Sequence, residues 1–290
     1  MTEYVNCELC ARRCGANREN GALGYCGMTD KPVVSLYDLH RWEEPIISGT
    51  KGSGAIFFCG CSLGCVFCQN AKISRAQVGT AVSEERLADI MLELQGRGAH
   101  NVNLVTATHF VPSVRSAIQI ARARGLKVPI VYNTGSYDTS DAIRSLAGFV
   151  DVYLPDLKYY TEKTAEKYSN AHDYFKVATE AISEMYRQVG APVIEDGIIK
   201  RGVIVRILLL PGHVAEAKLA LKYLYTTYAD GIYISLMSQY TPMPDMKRPL
   251  DRRVTKEEYR QLTEYAISLG VKNAFIQDTD SASSNYIPNF

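Results

Sequence analysis

From Gly54 onward the chain alternates short apolar runs with longer amphipathic stretches at an even pace, the pattern of repeated βα units. The runs are Ala55 to Phe58, Val102 to Val105, Val128 to Tyr132, Val150 to Leu154, Val203 to Leu210 and Ile232 to Leu236. They are continuously apolar instead of alternating, so they read as parallel strands covered on both faces. The stretches between them carry helix signals. Ser83 can cap a helix that opens with Glu84 and Glu85 and sets Leu87, Ile90, Met91 and Leu94 on one face. Pro112 suits a first helical turn and Gly125 a stop; a further helix from Asp173 to Gly190 aligns Val177, Ala178, Ile182, Met185 and Val189. Thr255 and Glu258 spell a capping box ahead of Leu262, Ala266 and Leu269. Within GAPVIEDGIIKRG, Asp196 and Gly197 separate two apolar pairs and predict a small hairpin before the fifth strand.

Six units are too few for the usual closed eight-stranded barrel. They predict an α/β fold with a partial (βα)6 TIM-like barrel over residues 51–280, its active site at the C-terminal strand ends where the βα loops gather. Residues 1–50 read as a short Cys-rich, metal-binding segment, and 281–290 as a polar tail.

Composition narrows the setting without changing the fold. The chain is 47% hydrophobic and 22% charged, with a formal net charge of +1, which argues against a nucleic-acid partner held by bulk electrostatics. No apolar run approaches the roughly 20 residues of a membrane span. The opening MTEYVNCELC offers neither a basic start nor an apolar stretch, so the expected location is cytoplasmic. There thiols stay reduced, and clustered cysteines serve metals more often than disulfides.

The cysteines carry the chemistry. CSLGCVFC places Cys61, Cys65 and Cys68 on one short loop directly after the first predicted barrel strand. Three thiolates there can hold three corners of an iron–sulfur cube, and with no fourth cysteine in the run one iron stays open for chemistry. A structural zinc site recruiting Cys59 or His109 is the alternative, although Cys59 at a strand end reads as a small buried residue. A second set, Cys7, Cys10, Cys14 and Cys26, gives C-x2-C-x3-C-x11-C in a Gly-rich stretch without regular periodicity. Four thiols in so short a segment imply a metal staple, and both zinc and a second iron–sulfur cluster fit. Arg206 interrupts a run of six aliphatic residues from Ile204 to Leu210, where a guanidinium must find an anion or bear a large desolvation cost. Asp156 or Asp151 can supply that anion, as can a ligand carboxylate.

C-x3-C-x2-C after the first strand of a six-unit barrel resembles the radical S-adenosylmethionine (SAM) enzymes. With GSGAIFFCGCSLGCVFCQN, NLVTATHFVP, PIVYNTGSY, DVYLPDLKY, VIVRILLLPG and LMSQYTPMP, nearly the whole chain resembles a group related to pyruvate formate-lyase activating enzyme. The resemblance implies a [4Fe-4S] cluster on Cys61, Cys65 and Cys68, with SAM on the open iron. It implies reductive cleavage to methionine and a 5'-deoxyadenosyl radical, which takes a hydrogen atom from a substrate, and an electron donor such as flavodoxin or ferredoxin. It places Phe67 against the adenine, and Asn133, Thr134, Asp156 and Lys158 near the methionyl end of SAM; Asn133 stands where the activating enzymes have Asp. Arg206 would meet the SAM carboxylate. The Gly-Gly-Glu run that many members use for the SAM amino group is absent, leaving Thr106, Thr108 and their backbone for that task. His109, Gln239 and Tyr240 are weaker candidates for substrate contact. The activase likeness points to a protein substrate whose glycine becomes a radical; a small molecule, peptide or RNA substrate, or a non-catalytic metal-binding or electron-transfer protein, are the competing readings.

Overall fold

The computed structural model describes residues 3–75 and 78–277; the expected polar tail lies outside them. Among the described residues ten strands form one sheet. They are β1 (Val33–His40), β2 (Ser53–Phe58), β3 (Thr80–Ala81), β4 (Val102–Val105), β5 (Ile130–Thr134), β6 (Val152–Pro155), β7 (Val193–Glu195), β8 (Ile198–Leu208), β9 (Tyr233–Met237) and β10 (Ala274–Ile276). The parallel part runs β2-β4-β5-β6-β8-β9-β10. Its first six strands are the six expected from the apolar runs. β10 adds a seventh, too short and too half-buried to stand out in the sequence.

The helices are α1 (Pro45–Ser48), α2 (Ala71–Arg75), α3 (Glu84–Gly96), α4 (Val111–Ala123), α5 (Ser140–Ser145), α6 (Glu162–Ser169), α7 (Tyr174–Val189), α8 (Val214–Tyr228) and α9 (Lys256–Leu269). Several begin where their sequence signals put them. The Ser83 hydroxyl accepts from the Arg86 amide, and α3 buries Leu87, Ile90, Met91 and Leu94. Both hydrogen bonds of the Thr255–Glu258 capping box form at the head of α9. β7 and β8 pair as the predicted hairpin, with Asp196 and Gly197 at φ of 51° and 76°, the left-handed turn that Asp-Gly favours.

β1 lies antiparallel to β2 and extends the sheet beyond its first parallel strand, with β3 on its outer side. Residues 33–40 of the Cys-rich segment therefore belong to the barrel sheet. The link from β1 to β2 then enters the lumen. Ile47 of α1 is fully buried against Val131, Val152, Leu154, Ile199 and Ile204, a core separate from the larger one outside the strands. Asn101 fixes this plug by donating to the Ile47 carbonyl at 2.8 Å while accepting from Ser53 at 2.6 Å. The inner face is thus layered: aliphatic at the plug, then polar two residues further along each strand at Asn133, Asp156, Arg206 and Ser235.

Candidate active site

Above the plug lies a cavity of about 490 Å³, within the roughly 300–1,000 Å³ typical of small-molecule sites. Cys61, Cys65, Cys68 and Phe67 line one wall; Thr106, Thr108, Asn133, Thr134, Asp156, Lys158 and Arg206 line the others. Residues far apart in the sequence meet here because each ends, or follows, a neighbouring parallel strand.

The loop after β2 is built to hold sulfurs in place. Gly60 adopts φ +82°, and an added Cβ would stand 2.7 Å from the Cys26 carbonyl oxygen, so only glycine lets the two cysteine segments approach. Ser169 donates to Cys65 Sγ at 2.9 Å, and Ser74 to Cys68 Sγ at 3.4 Å. Arg12 donates to the Ser62 carbonyl at 2.8 Å and the Ser169 carbonyl at 2.8 Å, tying the loop to the end of α6. Burial pushes the Cys61 thiol up to about 11, and its neighbours Cys65 and Cys68 add to the shift. Three adjoining thiols, with hydroxyls aimed at two of the sulfurs, fit a donor set for a cationic iron–sulfur centre. Cys59 faces away: its sulfur donates to the Val78 carbonyl at 3.3 Å, and it is the small buried residue expected.

Phe67 sits among aromatic rings, at 6.1 Å from Tyr240, 6.3 Å from Tyr168 and 6.4 Å from Tyr159, all edge-on. Phe67 also lines the cavity. Tyr240 itself is buried behind it, its hydroxyl donating to the Leu250 carbonyl at 2.7 Å, so it supports Phe67 and does not reach the cavity. Gln239 does line the cavity, held by Gln69 and Gln277.

Arg206 finds its anions inside the protein. Its Nε donates to Asp156 Oδ1 at 2.8 Å, Nη2 to Asn133 Oδ1 at 2.6 Å, and Nη1 stands 3.5 Å from Glu43 Oε2. Lys158 Nζ meets the other Asp156 oxygen at 2.5 Å. Burial alone would raise the Asp156 carboxyl, but Arg206 and Lys158 outweigh it and the net shift is down. Asn in place of Asp at 133 is understandable here, since its carbonyl oxygen accepts from Arg206 without adding a charge. Nearby, Thr108 and Thr134 hydroxyls lie 3.4 Å apart, and Thr134 donates to the buried Asp138 at 2.6 Å. Thr106 holds φ +63°, a strained conformation for a β-branched residue, at the cavity wall.

His109 is elsewhere. It is buried, its Nε2–H donating to the Cys59 carbonyl at 2.7 Å; burial drives its pKa down to about 3, and it does not line the cavity. The expectation of substrate contact is corrected: the short turn Thr108–Phe110 directs the ring behind the cysteine loop. Conversely, Glu43 and Glu44 on the plug were not expected at the site. Nothing in HRWEEP distinguishes them from a solvated acidic pair until the chain is folded.

The N-terminal cysteines are also gathered. A Cβ on Gly24 would stand 3.2 Å from Cys26 Sγ and 3.6 Å from Cys14 Sγ, and the charges of Cys7 and Cys26 both act on Cys10. Among the described residues no group of three or more His, Cys, Asp or Glu side chains stands ready to hold a single metal ion. Arg18 is fully buried beside them, donating to Cys7 Sγ at 3.5 Å and to the carbonyls of Met28, His109 and Thr29. Among the described residues no helix is long and apolar enough to cross a membrane.

The curved parallel sheet with three thiols at a strand end defines a class, and comparison agrees. The family model described as the Radical SAM superfamily matches residues 55–224, more than half of the chain, and the chain belongs to that superfamily. It is a radical SAM enzyme, a class that uses a [4Fe-4S] cluster and SAM. An uncharacterized protein of Methanocaldococcus jannaschii is 28% identical over 270 residues, covering 91% of this chain and 75% of that one. SuiB of Streptococcus suis, in its structure bound to S-adenosylmethionine, is similar with a TM-score of 0.50 at 10% identity, over 78% of this chain and 50% of its own. The chain spans about half the length of SuiB, and the likeness concerns the fold. A domain of pyruvate-formate lyase-activating enzyme from Bacteroides vulgatus gives a TM-score of 0.41 at 14% identity, over 58% of this chain and 91% of that domain.

Proposed function

We propose that Cys61, Cys65 and Cys68 hold the [4Fe-4S] cluster and that the cavity beneath binds SAM and then a substrate from which a hydrogen atom is taken. The observation that carries this reading is the convergence of the three thiols and the Asp156–Lys158–Arg206 network on one cavity. When bound and reduced, the cluster and SAM supply methionine and a 5'-deoxyadenosyl radical. The residues do the rest: Phe67 offers a ring to the adenine; Thr106, Thr108, Asn133 and Thr134 offer hydrogen-bonding groups to the methionyl end. Asp156 can accept from the SAM ammonium, while Lys158 and Arg206 balance it and present donors to the carboxylate. Ser74 and Ser169 steady two of the sulfurs. The plug closes the lumen from below and excludes water there.

The likeness to activating enzymes favours a protein substrate whose glycine becomes the radical, with flavodoxin or ferredoxin as the electron donor. The N-terminal cysteines Cys7, Cys10, Cys14 and Cys26 hold a second metal centre, zinc or iron–sulfur. Arg18 supports it: a fully buried guanidinium needs a nearby anion, and a metal tetrathiolate is one.

Anaerobic purification, reconstitution with iron and sulfide, reduction and addition of SAM tests the reading by the appearance of 5'-deoxyadenosine. Cys61→Ala, Cys65→Ala or Cys68→Ala should each abolish it. An intact, reduced cluster that forms none would refute the assignment. Iron and zinc counts on the triple variant identify the N-terminal metal.

A further inference from the structure

The floor of the cavity holds more carboxyl groups than cationic ones. Glu43, Glu44 and Asp156 face only Arg206 and Lys158 among the described cavity-lining residues. Glu43 is partnered: Oε1 accepts from Asn103 Nδ2 at 3.1 Å and Oε2 faces Arg206. Glu44 is 8% exposed, lines the cavity, and its Oε2 has no hydrogen-bond partner. A buried carboxylate oxygen left bare costs about 1–3 kcal/mol or more, and a structural floor would do as well with Gln or Leu. Burial pushes both carboxyls up, and Arg206 opposes the shift in each.

The position of the pair separates it from the cluster. His40 pairs with Ser53, so the plug enters beside the N-terminal end of β2, whereas Cys61, Cys65 and Cys68 follow its C-terminal end. A molecule lying below SAM in the lumen would meet Glu44 first. We propose that Glu44, assisted by Glu43, receives a cationic group of the substrate, an ammonium or guanidinium, and so sets which part of that substrate lies under the reactive end of SAM. This rests on the radical SAM reading above. The competing source of positive charge is SAM itself, through its ammonium and sulfonium, and the test must tell the two apart.

Trp42, the single tryptophan of the chain, precedes Glu43 and lines the same cavity, so its fluorescence reports on the floor. The reconstituted full-length protein, saturated with SAM, is titrated with n-butylammonium and n-butylguanidinium, with n-butanol as the neutral control. Calorimetry gives a second reading that cluster absorbance does not disturb. The expected result is saturable binding of at least one cation and not of the alcohol, weakened at least about tenfold in Glu44→Gln and less in Glu43→Gln, with SAM affinity within about threefold of the parent in both. Thermal midpoints check that the variants are folded; should Glu44→Gln fail to fold, Glu44→Asp, which withdraws the carboxylate by one methylene, takes its place.

Three results would overturn the proposal: no saturable cation binding, equal binding of the alcohol, or a cation affinity that ignores position 44. A tenfold loss of SAM affinity in Glu44→Gln would overturn it too, by giving the carboxylate to SAM. Uncoupled 5'-deoxyadenosine formation in the same samples distinguishes the two levels. If the nucleoside forms and the cations do not bind, only this inference falls; if it does not form from an intact reduced cluster, the reading beneath falls.

Discussion

Arg206→Leu is the most informative single change in the lumen. Its guanidinium lies 2.8 Å from Asp156 and 3.5 Å from Glu43, and the three side chains are only 13%, 17% and 11% exposed. Breaking a buried pair by removing one partner costs about 3–5 kcal/mol, because the remaining carboxylate stays in dry surroundings. Urea denaturation of the anaerobically reconstituted protein, followed by far-ultraviolet circular dichroism, should show a midpoint lower by roughly 1 M or more. Arg206→Lys keeps the charge but loses the fork that reaches Asp156 and Asn133 together, so it should fall between. Adding Asp156→Asn to the Arg206→Leu variant removes the stranded charge and should restore part of the loss, a coupling of about 1–3 kcal/mol. The acid limb has a defined sign. The Asp156 carboxyl is depressed in the folded state, so its contribution is present above the ordinary carboxylate range near 4 and lost as pH falls through the lower folded value. Without Arg206 the loss should begin at higher pH. A midpoint unchanged in Arg206→Leu, or no recovery with Asp156→Asn, would refute the account of the network.

Gly60→Ala forces a side chain into φ +82° with its Cβ 2.6 Å from Met28 Cγ. It should cost about 2–4 kcal/mol and lower the metal content of the N-terminal site in a protein that also carries Cys61→Ala, Cys65→Ala and Cys68→Ala, read by metal analysis; normal content would show that the two segments can separate freely. Thr106→Gly should stabilise the protein by about 1 kcal/mol by relieving left-handed strain, net of glycine's entropy, and a lower thermal midpoint would show that the strain is not stored there. The apo protein should lose stability as pH rises from the ordinary thiol range near 9 towards 11. Cys61 and Cys68 are both held neutral by burial, a contribution complete below the unfolded value and lost through the folded one. Iron loading should flatten that limb, which a pH series of denaturation midpoints with and without the cluster would reveal.

Many of the residues that gather at the cavity stand out before folding. The three cysteines signal themselves by spacing and Arg206 by being charged in an apolar run, whereas Asp156 and Lys158 stand out through the family resemblance of DLK. His109 and Tyr240 misled because a polar side chain after a strand can turn either way, and a sequence does not say which face a loop presents. Glu43 and Glu44 were silent for the opposite reason: two acids before Pro45 look solvated unless one knows that the next turn is buried.

Local patterning along the chain determined six of the parallel strands, the β7–β8 hairpin, the capped helices α3 and α9 and the two cysteine sets, because these depend on periodicity, caps and spacing. Tertiary structure alone decided that residues 43–48 plug the lumen, that Arg206 is shared between Asp156, Asn133 and Glu43, and that the two cysteine loops touch at Gly60. Those facts depend on distances between segments far apart in the chain. Only the packing of the sheet around the plug fixes such distances, and with them the charge that a ligand meets.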